Sequence, residues 1–302
     1  MDLLLKLELF RNKTFIVSNV INYYLFKQTL SYTYIYLMEI EQSINSKRGN
    51  NNLICQDRHK NRVYLVTGSS LGIGFAILKR LAQEGASVIL TSRRKENLEK
   101  AEEDLKKNNL KFDTIIANFN SKEDREKVFA QIKEKYGMLH GLVCNIAVSP
   151  HFGNSLDINE KEFAKIFEVN VFNTFFTIQL FLPLLEKGTN SSILIVSSQA
   201  GYTPYNGIGI YSVSKTALLS LTKLLGEELA SKNIRVNGIA PGIVKTKFAS
   251  AIVDSDEAKS NFLKRVSIPV EMSGCAAFLL SEDASFITGE NYSINGGMYG
   301  KL

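Results

Sequence analysis

A series of short, continuous apolar runs rich in β-branched residues restricts the fold of this chain more than any other feature. They lie at residues 63–66, 88–91, 114–116, 142–144, 193–196, 236–239 and 292–294. They do not alternate apolar with polar, so each reads as a strand buried on both faces. Stretches with helical period stand between them, at 75–84, 96–107, 122–135, 163–185 and 270–280. This order predicts an α/β fold, a doubly wound parallel sheet of about seven strands in a single domain. Of the 302 residues, 61–302 supply that domain and 1–60 are left as an extension.

The extension is rich in Tyr, Phe, Ile, Leu and Asn and has no glycine before Gly49. Its apolar stretch from Thr14 is interrupted by Asn19, Asn22 and Lys27. It therefore falls short of the about 20 apolar residues that span a bilayer, and no membrane partner is indicated. Three readings fit: a degenerate signal or anchor, a transit peptide, or a poorly ordered extension. Asp2 and Glu8 count against the transit peptide, and the poorly ordered extension is the reading adopted. The net charge of +6 is not gathered into a basic block, so nothing points to nucleic acid. Cys55, Cys144 and Cys275 stand far apart, without metal-ligand spacing and without the even count of a disulfide framework.

Chemistry enters at the end of the first strand. Gly68, Gly72 and Gly74 are spaced G-x-x-x-G-x-G, with Ile73 between the last two, just before the first helix. Glycines there let the chain turn tightly and let a pyrophosphate approach the free N–H groups of the helix start. Ser69 and Ser70 add hydroxyl donors. The second strand ends in Ser92-Arg93-Arg94 where an NAD site usually carries an acidic residue. A hydroxyl and two guanidiniums suit a 2′-phosphate, so the cofactor expected is NADP(H).

Tyr211 and Lys215 stand four apart at the start of a long amphipathic run, on one helix face. An ammonium beside a phenol favours the phenolate, so the tyrosine pKa is expected to fall. Such a tyrosine can donate a proton to a carbonyl oxygen or accept one from an alcohol.

Thr67-Gly-Ser-Ser-Leu-Gly-Ile-Gly, Cys144-Asn-Ile-Ala, Asn170, Ser197-Ser198, Tyr211-x-x-x-Lys215 and Pro241-Gly242 occur in one order along the chain. Together they resemble the short-chain dehydrogenase/reductase family over residues 61–302. Pro150-His-Phe-Gly, Asn233-Ile-Arg-Val-Asn and Ser281-Glu-Asp-Ala-Ser-Phe-Ile-Thr-Gly-Glu are similar to a subgroup of peroxisomal NADPH-dependent carbonyl reductases and retinol dehydrogenases. The resemblance implies a homotetramer acting on small-molecule carbonyl and alcohol substrates: ketones, α-dicarbonyls and retinal-like aldehydes. It implies that Ser198 bonds the substrate oxygen and Tyr211 donates the proton. Lys215 would lower the tyrosine pKa and hold the nicotinamide ribose, and Asn170 would order a relay water. Asn145 would line the cofactor cleft, and Pro241, Gly242, Ile243 and Thr246 would close over the nicotinamide. The loops 149–156, 199–210 and 244–266 would shape the substrate pocket.

Two departures from the family pattern affect the cofactor wall. Ile146 and Ala147 replace a smaller pair, and Asn118-Phe119-Asn120 stands where an acidic residue commonly meets the adenine. Two other functions share parts of this pattern: a 3-oxoacyl-carrier-protein reductase, and a catalytically silent NADP-binding partner protein. The terminal Gly300-Lys301-Leu302 is close to the peroxisomal Ser-Lys-Leu address but lacks its serine. Peroxisome and cytoplasm are the expected locations, ahead of the mitochondrion.

Overall fold

Seven parallel strands form one sheet in the order β3-β2-β1-β4-β5-β6-β7. The strands are β1 (Val63–Val66), β2 (Ser87–Ser92), β3 (Phe112–Ile116), β4 (Gly141–Cys144), β5 (Ser192–Val196), β6 (Arg235–Pro241) and β7 (Asn291–Ile294). The structure is a computed structural model and describes residues 55–250 and 252–298. The expectations for residues 1–54 and for Gly300-Lys301-Leu302 lie outside the described residues. The helices are α1 (Gly72–Gln83), α2 (Lys95–Lys107), α3 (Lys122–Tyr136), α4 (Glu160–Phe167), α5 (Asn173–Leu185), α6 (Gly209–Glu228) and α7 (Val270–Leu280).

The runs in β1, β2, β4, β5 and β6 have the burial they imply. The edge strands β3 and β7 are only partly covered, and Ile116 at the end of β3 is exposed, because an edge strand has a neighbour on one side alone. In β1, Val63 and Leu65 enter a core layer with Val128 of α3, Phe181 of α5 and Leu218 of α6. Tyr64 and Val66 enter the opposite layer with Ile77 of α1, Leu98 of α2 and Met272 of α7. Successive side chains of a strand point to opposite faces, so a strand covered on both needs apolar residues at every position.

Local signals set the helix ends. The Ser121 side chain accepts from the Asp124 N–H at 3.1 Å at the start of α3, and Gly137 ends it in the left-handed region at φ 71°. The single helix expected over 163–185 is divided. It starts earlier, at Glu160, where Asn159 accepts from the Glu162 N–H, and a π turn at Glu168–Phe172 separates α4 from α5. The turn contains the wholly buried Asn170, whose side chain bonds both the N–H and the C=O of Val148, at 2.8 and 3.0 Å. Apolar residues on both sides give the same sequence pattern with or without the extra residue, so periodicity does not reveal the break.

Ordered packing also reaches upstream of residue 61. His59 is wholly buried, with Nε2 3.1 Å from the Ala277 carbonyl and Nδ1 2.7 Å from the Tyr64 hydroxyl. Burial pushes its pKa down to about 4. His59→Ala should lower folding stability by about 1–3 kcal/mol by leaving the Tyr64 hydroxyl and the Ala277 carbonyl without this partner. The unfolded chain protonates this histidine below pH ~6.5 while the folded chain does not, so it contributes a loss of stability as pH falls from there toward 4. Urea titrations across that range should show this contribution in the parent and not in the variant.

Candidate active site

β1 pairs with β2 on one side and β4 on the other, so the direction of sheet growth reverses there. The carboxyl ends of such strands border an open crevice. All the sequence-selected residues outside the helices lie at those ends, and the structure brings them together.

The turn after β1 is built on close backbone approach. Gly68 and Gly72 have φ of +61° and +60°. A Cβ on Gly74 would stand 2.5 Å from Asn145 Nδ2 and 2.6 Å from the Gly68 carbonyl oxygen, which no larger residue can tolerate. Asn145 Nδ2 donates to the carbonyls of Thr67 and Gly68, at 3.3 and 3.2 Å. Its amide therefore braces the glycine turn. Ser69, expected as a hydroxyl donor to a ligand, is wholly buried, and its Oγ accepts from the Thr91 N–H at 2.9 Å. It ties the turn to β2 instead. Ser70 is buried at the same turn, and Ile73 packs against the layer of α1, α2 and α7.

This cradle fits a pyrophosphate. α1 begins with no side-chain cap and no acidic residue in its first turn, which leaves N–H groups and the positive end of the helix dipole facing the crevice. The loop after β6 reaches the same place: a Cβ on Gly72 would lie 3.3 Å from Thr246 Cγ2. Pro241 ends β6, the Gly242 N–H donates to the Ile294 carbonyl at 3.0 Å, and the Ile243 carbonyl accepts from Ser267 Oγ at 3.0 Å. These bonds fix the loop at the crevice edge.

Ser92 is the last residue of β2, and its Oγ accepts from the Arg94 N–H at 3.3 Å at the start of α2. Arg93 and Arg94 are exposed. Among the described residues, no carboxylate forms an ion pair with either.

Ser198 follows β5 and begins a short turn, Gln199–Gly201, that runs against α6. Thr216 Oγ1 donates to the Gly201 carbonyl at 2.7 Å, and a Cβ on Gly201 would strike the Lys215 backbone at 2.9 Å. That contact sets Ser198 beside the first turn of α6, where Tyr211 and Lys215 are both buried. Lys215 Nζ lies 5.6 Å from the centre of the Tyr211 ring and donates to the Val196 carbonyl at 2.9 Å.

The expected fall in the tyrosine pKa is not found. Burial pushes Tyr211 up to about 12, and a hydrogen bond with Ser198 acts in the opposite direction. Burial also pushes Lys215 down to about 7, so near neutral pH the ammonium is only partly formed. The pair rule assumes a permanent charge on the lysine, and desolvation removes it. Asn170 Nδ2 meets Ser214 Oγ at 3.0 Å, and Ser214 Oγ donates to the Tyr211 carbonyl, so the π turn is joined to the helix that carries Tyr211.

Residues 68–299 match a protein-family profile described as Enoyl-(Acyl carrier protein) reductase. Dehydrogenase/reductase SDR family member 4 of Mus musculus is 42% identical over 248 residues, which cover 80% of this chain and 88% of that one. The chain belongs to the short-chain dehydrogenase/reductase family. The protein of the same name from Homo sapiens is 40% identical over 252 residues, 82% of this chain and 91% of the other. A crystal structure of a short-chain dehydrogenase/reductase from Brucella melitensis, SDR:Glucose/ribitol dehydrogenase, superposes with a TM-score of 0.76 at 32% identity, covering 82% of this chain and all of the other. The short-chain dehydrogenase/reductase described here is thus an oxidoreductase acting on CH–OH groups, in a family whose members bind nicotinamide cofactors.

Of the two departures in the fourth-strand motif, Ile146 packs into the core layer of α3, α5 and α6, its Cγ1 3.1 Å from where a Cβ on Gly68 would stand. Cys144 is a buried core residue whose thiol burial pushes up to about 12. Two residues near the site escaped the sequence reading. Phe248 places its ring 5.8 Å from that of Tyr211. Asn295 donates to Gln199 Oε1 at 2.7 Å and so supports the turn after Ser198. The Asn295-Gly-Gly turn after the last strand was the available signal for the second; the first lies in a loop with no motif.

The lowered Lys215 pKa has a definite sign in stability. Between about pH 7 and 10 the unfolded chain holds a proton on this lysine that the folded chain lacks, so the residue adds stability as pH rises through that window. Thermal melts from pH 7 to 9.5 should rise more steeply for the parent than for Lys215→Met. Parallel curves would disprove the lowered value.

Proposed function

We propose that this enzyme is an NADPH-dependent reductase of apolar ketones, α-dicarbonyls and retinal-like aldehydes, and that it also oxidises the corresponding alcohols. The observation that carries the reading is the convergence of Ser198, Tyr211 and Lys215 beside the exposed ring of Phe248. It offers a proton donor and a hydrogen-bond donor next to an apolar surface for the substrate. A silent cofactor-binding protein has no need of a buried lysine at such a place. Lys245 and Lys247 are exposed on either side of Thr246 and would serve the carrier-protein alternative, but Phe248 at the tyrosine favours a free apolar substrate.

When bound, the reduced nicotinamide supplies hydride to the carbonyl carbon. As the carbon–oxygen π pair moves onto oxygen, the Ser198 hydroxyl donates a hydrogen bond to the developing alkoxide. Tyr211 transfers its phenolic proton to that oxygen, giving the alcohol. The tyrosinate is stabilised by protonated Lys215, and Asn170 orders the water that returns the proton. The negative charge that the phosphates bring into the crevice favours the ammonium form of Lys215, which offsets the burial that empties it in the free chain. Gly68, Ser70, Gly72, Ile73 and Gly74 would cradle the pyrophosphate, and Ser92, Arg93 and Arg94 the 2′-phosphate. A homotetrameric assembly is supported by exposed aromatic residues at Phe163, Phe172 and Phe176, with exposed Val213 and Leu224 on α6.

Tyr211→Phe keeps the ring and removes the proton donor. NADPH should still bind, seen by fluorescence titration, while turnover of a diketone falls at least ~100-fold. Near-normal turnover would refute the assignment.

Arg93→Ala removes one charge-assisted bond, about 1.5–3 kcal/mol, and should raise the NADPH KM roughly 10–100-fold while leaving that of NADH nearly unchanged. A parent enzyme indifferent between the two cofactors would rule out the proposed 2′-phosphate site.

A further inference from the structure

Arg125, on α3, is 5% exposed, and among the described residues no carboxylate pairs with it. Glu123 and Glu126 act on it only through space, and burying a guanidinium without a direct ion pair is costly, so its hydrogen bonds need an account. Nη1 donates to the Phe119 carbonyl at 2.5 Å and to Asn173 Oδ1 at 3.0 Å. Asn173, itself buried, donates from Nδ2 to Asn120 Oδ1 at 3.1 Å. Phe119 and Asn120 belong to the loop after β3. Asn173 is the first residue of α5, directly behind the π turn.

The loop end of this network is anchored. The Asn118 N–H donates to Asp124 Oδ2 in the first turn of α3 at 2.6 Å, and within the loop the Asn120 N–H donates to Asn118 Oδ1 at 3.3 Å. The other end leads to the reacting groups. Asn170 in the π turn bonds Ser214, which bonds the Tyr211 carbonyl. Phe119, Ile146, Val169 and Asn173 line one small cavity at the junction of the loop and the turn. A π turn interrupts the regular helical hydrogen bonds and is found mostly at functional sites, so a contact on its flank can bias its position.

We propose that Asn173 and Arg125 are positioning residues that couple the adenine end of the cofactor site to the π turn holding Asn170. Cofactor seated against residues 118–120 then tightens the Asn120–Asn173 bond and fixes Asn170 for the proton relay. The proposal rests on the cofactor reading above, in which adenine meets this loop.

The test uses adenosine 2′,5′-bisphosphate, which carries the adenine end and no nicotinamide, with hydrogen exchange read on the intact chain. Binding to the parent should slow exchange of the amides at 168–172 about fivefold or more. Asn173→Ala and the milder Arg125→Lys should still bind the bisphosphate and lose that protection. In turnover, Asn173→Ala should lower kcat with NADPH about tenfold without raising the carbonyl KM. With reduced nicotinamide mononucleotide, which has no adenine to report, parent and variant should turn over alike. Bisphosphate binding without protection at 168–172 in the parent, equal protection in parent and variants, or an equal kcat loss with both cofactors would overturn the coupling and leave the cofactor reading intact. Failure of the parent to bind the bisphosphate would overturn the cofactor reading and the coupling with it.

Discussion

The reversal of sheet growth at β1 is the constraint on which the site depends. Because β1 lies between β2 and β4, the helices that follow it and those that follow β4 cover opposite faces, and among the described residues no helix follows the connections across the carboxyl ends where they part. The chain fills that gap with backbone. Gly74 approaches the Gly68 carbonyl and Asn145 too closely for any side chain, Gly68 turns at positive φ, and Asn145 occupies the space that the missing Cβ of Gly74 leaves. The sheet supplies the crevice, and the glycines keep it open to a phosphate-sized group.

Burial governs the electrostatics of the catalytic helix. The same low-polarity surroundings hold Tyr211 in its phenol form and deprive Lys215 of part of its charge. The lysine is therefore only partly charged near neutral pH, with the Val196 carbonyl accepting from it. An opposite charge near the lysine favours its ammonium form, so the charge state of the pair depends on what lies beside it.

Most of the architecture was legible because strands buried on both faces leave a continuous apolar signature and helices between them do not. All seven strands lie where those runs stand, and 270–280 is a helix to its ends. The glycine turn and the order of the motifs located the site. What escaped depends on contacts made by residues distant in sequence. The π turn at Glu168–Phe172 is invisible because its flanks are apolar in either register. The role of Ser69 follows from its distance to Thr91, and that of His59 from Tyr64 and Ala277, none of which a local pattern encodes. The tyrosine pKa was misjudged because spacing reports proximity and says nothing of desolvation.

Cys144 ends the strand beside the crevice, one residue before Asn145, and its sulfur stays in the thiol form far above physiological pH. Aldehydes and dicarbonyls are electrophiles that add to thiolates, and the thiolate is the reactive species. Under the proposed function such compounds would enter the crevice, where an exposed thiolate would be open to addition. Here the Cys144 sulfur is sealed in the core and protonated, so an electrophile in the crevice meets no thiolate from this residue. The same feature directs inhibitor chemistry: thiol-reactive warheads have no purchase at this position, and affinity has to come from shape and charge.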